Sequence, residues 1–136
     1  EPWDSPHNAA LIQQMPALYA SPGLPLMPGH TTYHAATGER MLFPPGRDIR
    51  FIDVTDGMSH TLMVMEGNAA SQVPWTSPEY LEIDDNDPLA NFRGARPGGF
   101  NAAIGDGSVR FIADMIDLQV FKALLTRDGN EAIPLQ

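Results

Sequence analysis

Apolar residues recur along this chain in two rhythms, and each predicts a different element. Leu118, Phe121, Leu124 and Leu125 fall at helical spacing, which predicts a helix over residues 117–126 with Gly129 as its terminator. Leu11, Ile12 and Met15 form a second stripe, behind Ser5 as N-cap and Pro6 at the first helical position, with Pro16 as the stop. A helix over residues 5–15 is therefore expected.

The period-two signal is clearest over residues 100–113, where Asp106-Gly107 separates two short apolar-rich runs. An Asp-Gly pair favours the turn whose twist matches a two-residue hairpin. With those two residues as the loop, Ile104 faces Val109, Ala102 faces Phe111 and Phe100 faces Ala113, so one face of the hairpin is wholly apolar. The other face collects Asn101, Ala103, Ser108 and Arg110, with Ile112 as the misfit. This register predicts Phe100, Ile104, Val109 and Phe111 in the core.

Residues 48–54 are dense in β-branched and aromatic side chains and read as a strand before the turn Thr55-Asp-Gly57. Residues 61–66 read as its continuation or partner. A tight loop at Asp56-Gly57 would mix the two faces, so a longer connection through residues 56–60 is expected. Residues 30–36 alternate weakly and suggest another strand. Residues 19–29 and 40–47 are rich in Pro and Gly and read as loops. Residues 69–99 form a long excursion that Trp75, Tyr80 and Phe92 are expected to anchor.

Thirteen prolines and twelve glycines reinforce the picture of many turns, and 136 residues suit one domain over 1–136. A net charge of −9 argues against nucleic acid and anionic membrane surfaces as partners. The absence of cysteine removes disulfides, thiol catalysis and Cys-ligated zinc. No run reaches the length of a membrane span. The chain opens on Glu1 without a leader, which reads as the soluble C-terminal portion of a longer protein.

Candidate chemistry is sparse. His30 and His34 have the spacing of two zinc ligands on a helix, but Thr31, Thr32 and Tyr33 between them disfavour a helix and a third ligand is lacking. Ser59 and His60 are neighbours without a nucleophile elbow or an orienting acid. Asp56 and Asp106 are explained as turn residues. Asp84, Asp85 and Asp87 supply oxygen atoms close together and are candidate calcium ligands, although the EF-hand spacing is missing. No catalytic set can be assembled, so the chain is expected not to be an enzyme and to need no cofactor, with calcium as the one candidate ion.

The stretch Arg96-Pro-Gly-Gly-Phe-Asn-Ala-Ala-Ile-Gly-Asp-Gly-Ser-Val-Arg-Phe-Ile112 resembles the motif that ends the H-X9-DG prepilin-processing-associated proteins, the DUF1559 family abundant in planctomycetes. Glu1-Pro-Trp-Asp-Ser-Pro-His-Asn8, Val54-Thr-Asp-Gly-Met-Ser-His-Thr-Leu62, Val73-Pro-Trp-Thr-Ser-Pro-Glu79 and Leu124-Leu-Thr-Arg-Asp-Gly-Asn-Glu131 are similar to further blocks of that family, in the same order. The family's His, with nine residues between it and Asp106, is Arg96 here. Arg96, Asp106 and Gly107 are thus the motif positions. A guanidinium cannot bind metal or accept a proton, but its donors can hold a carboxylate or loop carbonyls, and that is the role expected of Arg96.

The resemblance implies a cell-envelope or extracellular protein with a prepilin-like leader and an apolar N-terminal helix ahead of this head. The expected fold is α+β: an antiparallel sheet with N- and C-terminal helices and long Pro/Gly-rich loops, like a pseudopilin head. The expected function is a structural or interaction module of a type IV pilin-like or type II secretion-like envelope assembly. Its partners would be other pilin-like subunits, reached through the missing helix, which is also its only membrane contact. The alternative is a secreted module that binds calcium or a small solute.

Overall fold

The computed structural model describes residues 1–129, so residues 130–136 of the expected domain, with Asn130 and Glu131 of the last family block, lie outside the described residues. The fold is α+β with antiparallel sheets. In chain order the elements are β1 (His30–Thr31), β2 (Tyr33–Ala35), β3 (Leu62–Glu66), β4 (Val73–Pro74), β5 (Gly99–Ile104), β6 (Val109–Ala113) and one helix, α1 (Leu118–Leu125). β1 pairs with β4, and the larger sheet runs β2-β3-β5-β6, so its two edges are β2 and β6.

The α1 helix follows its sequence signal. Asp117 caps it, its carboxylate accepting from the backbone N–H groups of Gln119 and Val120 at 2.8 and 3.2 Å. Phe121, Leu124 and Leu125 are buried. Phe121 meets Phe92 and Phe100 edge-on at 6.1 and 6.0 Å, and Phe92 stacks on Phe100 at 5.0 Å. These three rings, with Leu62, Met65, Leu89 and Ile104, fill the core on one face of the larger sheet.

The N-terminal segment takes a different form from the expected α-helix. Residues Asn8–Gln14 wind as a 3-10 helix with no buried residue. Ser5 still acts at its start, its Oγ accepting from Asn8 N–H at 3.2 Å. The stripe of Leu11, Ile12 and Met15 has no large surface to cover, so nothing fixes the 3.6-residue period.

Residues 48–54 are not a strand. Arg50 and Asp53 close a local capping box around a short 3-10 turn at Phe51–Asp53, and Phe51 and Ile52 point outward, 82% and 74% exposed. Among the described residues no neighbouring strand supplies the ladder that an extended segment needs. β3 instead pairs with β2 and β5, and the link from residue 56 is a second 3-10 turn, Met58–His60.

The hairpin over 100–113 forms, but one residue out of the expected register: Phe100 faces Ile112, Asn101 faces Phe111 and Ala103 faces Val109. The loop holds three residues, 105–107. Gly107 N–H donates to Ile104 O at 2.9 Å, Ile104 N–H donates to Ser108 O at 2.8 Å, and Gly107 takes the left-handed φ of 89° that closes such a loop. Gly105 is drawn into the loop because its N–H donates to Thr61 O at 2.8 Å, at the start of β3. Because side chains alternate, the one-residue shift turns the whole of β6 over. Ile112 is buried, while Val109 and Phe111 are 67% and 52% exposed, contrary to the expected core.

The long excursion 69–99 is ordered at two of its three expected anchors. Trp75 stacks on Tyr19 at 5.6 Å and its indole N–H donates to Ile12 O at 3.1 Å; Phe92 is fully buried. Tyr80 is half exposed and does not serve as one.

Candidate functional site

The face of the larger sheet opposite the aromatic core is only partly covered among the described residues, and the pairing registers fix what it displays. Ala35, Val64, Ala103 and Val109 form one row straight across the four strands. Tyr33, Glu66, Asn101 and Phe111 form the next, by the same alternation. Leu18 and Tyr19 stand beside these rows and help enclose a groove of about 650 Å³. The first row is wholly apolar. The second has a polar centre between two aromatic ends.

Arg96 organises that centre. Its Nε donates to Glu66 Oε1 at 2.7 Å, and Asn101 Nδ2 donates to Glu66 Oε2 at 3.4 Å. Glu66 is only 4% exposed, so without these donors a carboxylate would be buried unpaired. The rest of the guanidinium reaches the loop after Tyr19: Nη2 donates to Ser21 Oγ at 2.8 Å and Nη1 to Pro22 O. One side chain thus ties the bend before β5, the end of β3 and the loop that carries the groove wall. Thr31 adds a further tie, its Oγ1 donating to Tyr19 O at 2.6 Å.

Of the motif positions, Arg96 lies at this face and the other two do not. Asp106 and Gly107 sit at the far tip of the hairpin, where Asp106 Oδ1 accepts from Ser108 N and Oγ at 2.9 and 2.6 Å. Those hydrogen bonds, the hydroxyl's first, hold the Asp106 carboxyl below the usual range. Glu66 was not singled out from the sequence. The available signal was a carboxylate ending the apolar run Leu62-Met-Val-Met-Glu66, where a half-buried sheet face leaves a charge in need of a partner.

The remaining candidates do not converge. Asp87 is ion-paired with Arg93 at 2.7 Å, and the arginine's hydrogen bond lowers the carboxyl's pKa. Asp84 Oδ1 accepts from Asn86 N at 2.9 Å, closing a local turn. Among the described residues no three His, Cys, Asp or Glu side chains gather as a metal would require, so Asp84, Asp85 and Asp87 form no calcium cage. His34 is buried against Ser71, Nε2 to Oγ at 3.1 Å, and burial lowers its pKa despite that hydrogen bond. His30 Nδ1 sits 3.0 Å from its neighbour's carbonyl at Pro28. Ser59 Oγ approaches His60 Nδ1 at 3.1 Å on the exposed surface, with no third group orienting the ring among the described residues. No helix among the described residues is long and apolar enough to cross a membrane.

Residues 4–87 and 68–119 match the family model SBP_bac_10, described as Protein of unknown function (DUF1559). Together the two stretches cover most of the chain, including β1 to β6, Glu66 and the motif positions Arg96, Asp106 and Gly107. The chain belongs to the DUF1559 family. No curated protein and no solved structure matches it. Within this DUF1559 chain Arg96 serves as a bridge between sheet and loop, through an ion pair and two loop contacts.

Proposed function

We propose that this domain is the structural head of a type IV pilin-like or type II secretion-like assembly in the cell envelope, and that it is not an enzyme. The observation that carries this reading is the partly open sheet face. β6 directs Val109 and Phe111 outward and Arg110 to the other side, so two of its large apolar side chains lie on the open face while Ile112 alone enters the core. A protein that worked alone would gain stability from the opposite arrangement. An open apolar row of this kind, Ala35, Val64, Ala103 and Val109, marks an interaction surface.

The occupant that suits the groove is an apolar α-helical segment of a neighbouring pilin-like subunit. Ala103, small between Val64 and Val109, leaves a channel along the sheet, and the Leu18–Tyr19 wall makes it one-sided. The rigid Arg96 bridge keeps that wall in place without adding net charge at the surface.

Co-sedimentation tests the proposal. The full protein, produced in cells, is expected to fractionate with envelope material and to bring pilin-like subunits with it. A Val109→Asp, Phe111→Asp double variant is expected to be released from that fraction while its melting temperature stays near the parent's, since both side chains are exposed. Recovery of the parent as a free, partnerless protein would contradict the reading.

A further inference from the structure

A second apolar basin lies away from both the core and the sheet face. Leu42, Ile49, Phe51, Val54, Met58 and Met63 line a cavity of about 400 Å³. Leu42 and Val54 are buried here, yet neither belongs to the main core cluster. The volume lies in the range of small-ligand sites and is too small for a helix. Its wall includes the Phe51–Asp53 turn, held by Arg50 N–H donating to Asp53 Oδ2 at 2.8 Å. That ordered turn keeps Phe51 at the mouth, where Phe43 is also 45% exposed.

Among the described residues, Arg50 is the only charged one lining the cavity. Its Nε and Nη2 are engaged by Asp53 at 3.5 and 3.3 Å, which leaves Nη1 without a hydrogen bond among the described residues. Arg47, three positions earlier, forms no ion pair among them either. Asp48 is exposed on the same segment and Asp53 is bound by Arg50, so the segment's charges balance, and the donor left without a partner on the cavity lining is Arg50 Nη1. From this geometry we infer that the cavity binds a single-chain amphiphile, with its alkyl chain between Met58, Met63 and Val54 and an anionic head at Arg50. This site is separate from the sheet face, and its failure would leave the proposed function untouched.

Methionine-methyl NMR on the whole protein reads it directly, because two of seven methionines line the cavity and others report elsewhere. Titration with decanoate below its micelle concentration is expected to shift the Met58 and Met63 methyls saturably and leave Met27 and Met115, which are 56% and 93% exposed, in place. Decyltrimethylammonium is expected to bind at least tenfold more weakly. Arg50→Gln should weaken decanoate binding several-fold with the Met65 core signal unchanged, and Val54→Phe, which fills the cavity, should abolish it. Absence of a saturable shift, equal shifts at Met27 and Met115, or equal affinity for the cationic amphiphile would each overturn the inference.

Discussion

Arg96 and Glu66, thirty positions apart, meet as a 2.7 Å ion pair at the point where the bend into β5 crosses the end of β3. The carboxylate is 4% exposed on its side chain and the guanidinium 26%, so the pair is much less screened than a surface bridge. Its effect is structural and local. It fixes the loop behind Leu18 and Tyr19 against the sheet and thereby shapes the groove.

Removing the arginine should therefore cost more than its own hydrogen bonds. Arg96→Ala leaves Glu66 buried with one long hydrogen bond from Asn101, and a loss of about 2–3 kcal/mol is expected in denaturant unfolding. Arg96→His should retain part of that stability. In Arg96→Ala with Glu66→Gln the two losses should fall well short of additive, which a double-mutant cycle reads as coupling.

The hairpin register makes two adjacent residues behave oppositely. Ile112→Ala should cost about 2–5 kcal/mol, as for other buried aliphatic truncations. Phe111→Ala removes a larger side chain and should change stability by less, about 0.5 kcal/mol, because its ring lies on the open face. The reverse order would restore the two-residue loop that the Asp-Gly pair suggests.

Gly107 closes the loop with a φ of 89°, and open space surrounds the position a Cβ would take. Gly107→Ala should therefore destabilise by about 1 kcal/mol through backbone strain alone. Thermal melts of the single variant check it.

His34 gives the stability a pH dependence of defined sign. Burial lowers its pKa below the ordinary 6.5, so the unfolded chain takes up the proton first. Stability from this group is complete above pH 6.5 and falls as the pH drops through 6.5 toward the lowered folded value. Folding stability measured in steps down from neutral pH should show that decline, and His34→Gln should flatten it.

The α+β class and the α1 helix were legible because their signals are local, above all an apolar stripe at one period; that Asp117 caps the helix emerged only from the structure. The hairpin's existence was legible for the same reason. Its register was not, because the third loop residue depends on Gly105 donating to Thr61, a hydrogen bond to a distant strand. Residues 48–54 misled through composition alone: β-branched density predicts a strand only where a neighbour can pair, and the Arg50–Asp53 box offered a nearer alternative. At the candidate site the need of Arg96 for a carboxylate or a loop carbonyl was legible, and it meets both. That the acid is Glu66 followed only from the sheet register.

The central claim is that the outer face of the four-stranded sheet is an assembly surface, and photo-crosslinking in intact cells tests it most directly. A photoreactive residue placed at Val109 on the open face should yield an adduct with an apolar helical segment of a pilin-like subunit, mapped by mass spectrometry. The same residue at Met115, 93% exposed on the turn beyond β6, should yield none. Adducts of equal yield at both positions, or none at Val109, would contradict the account.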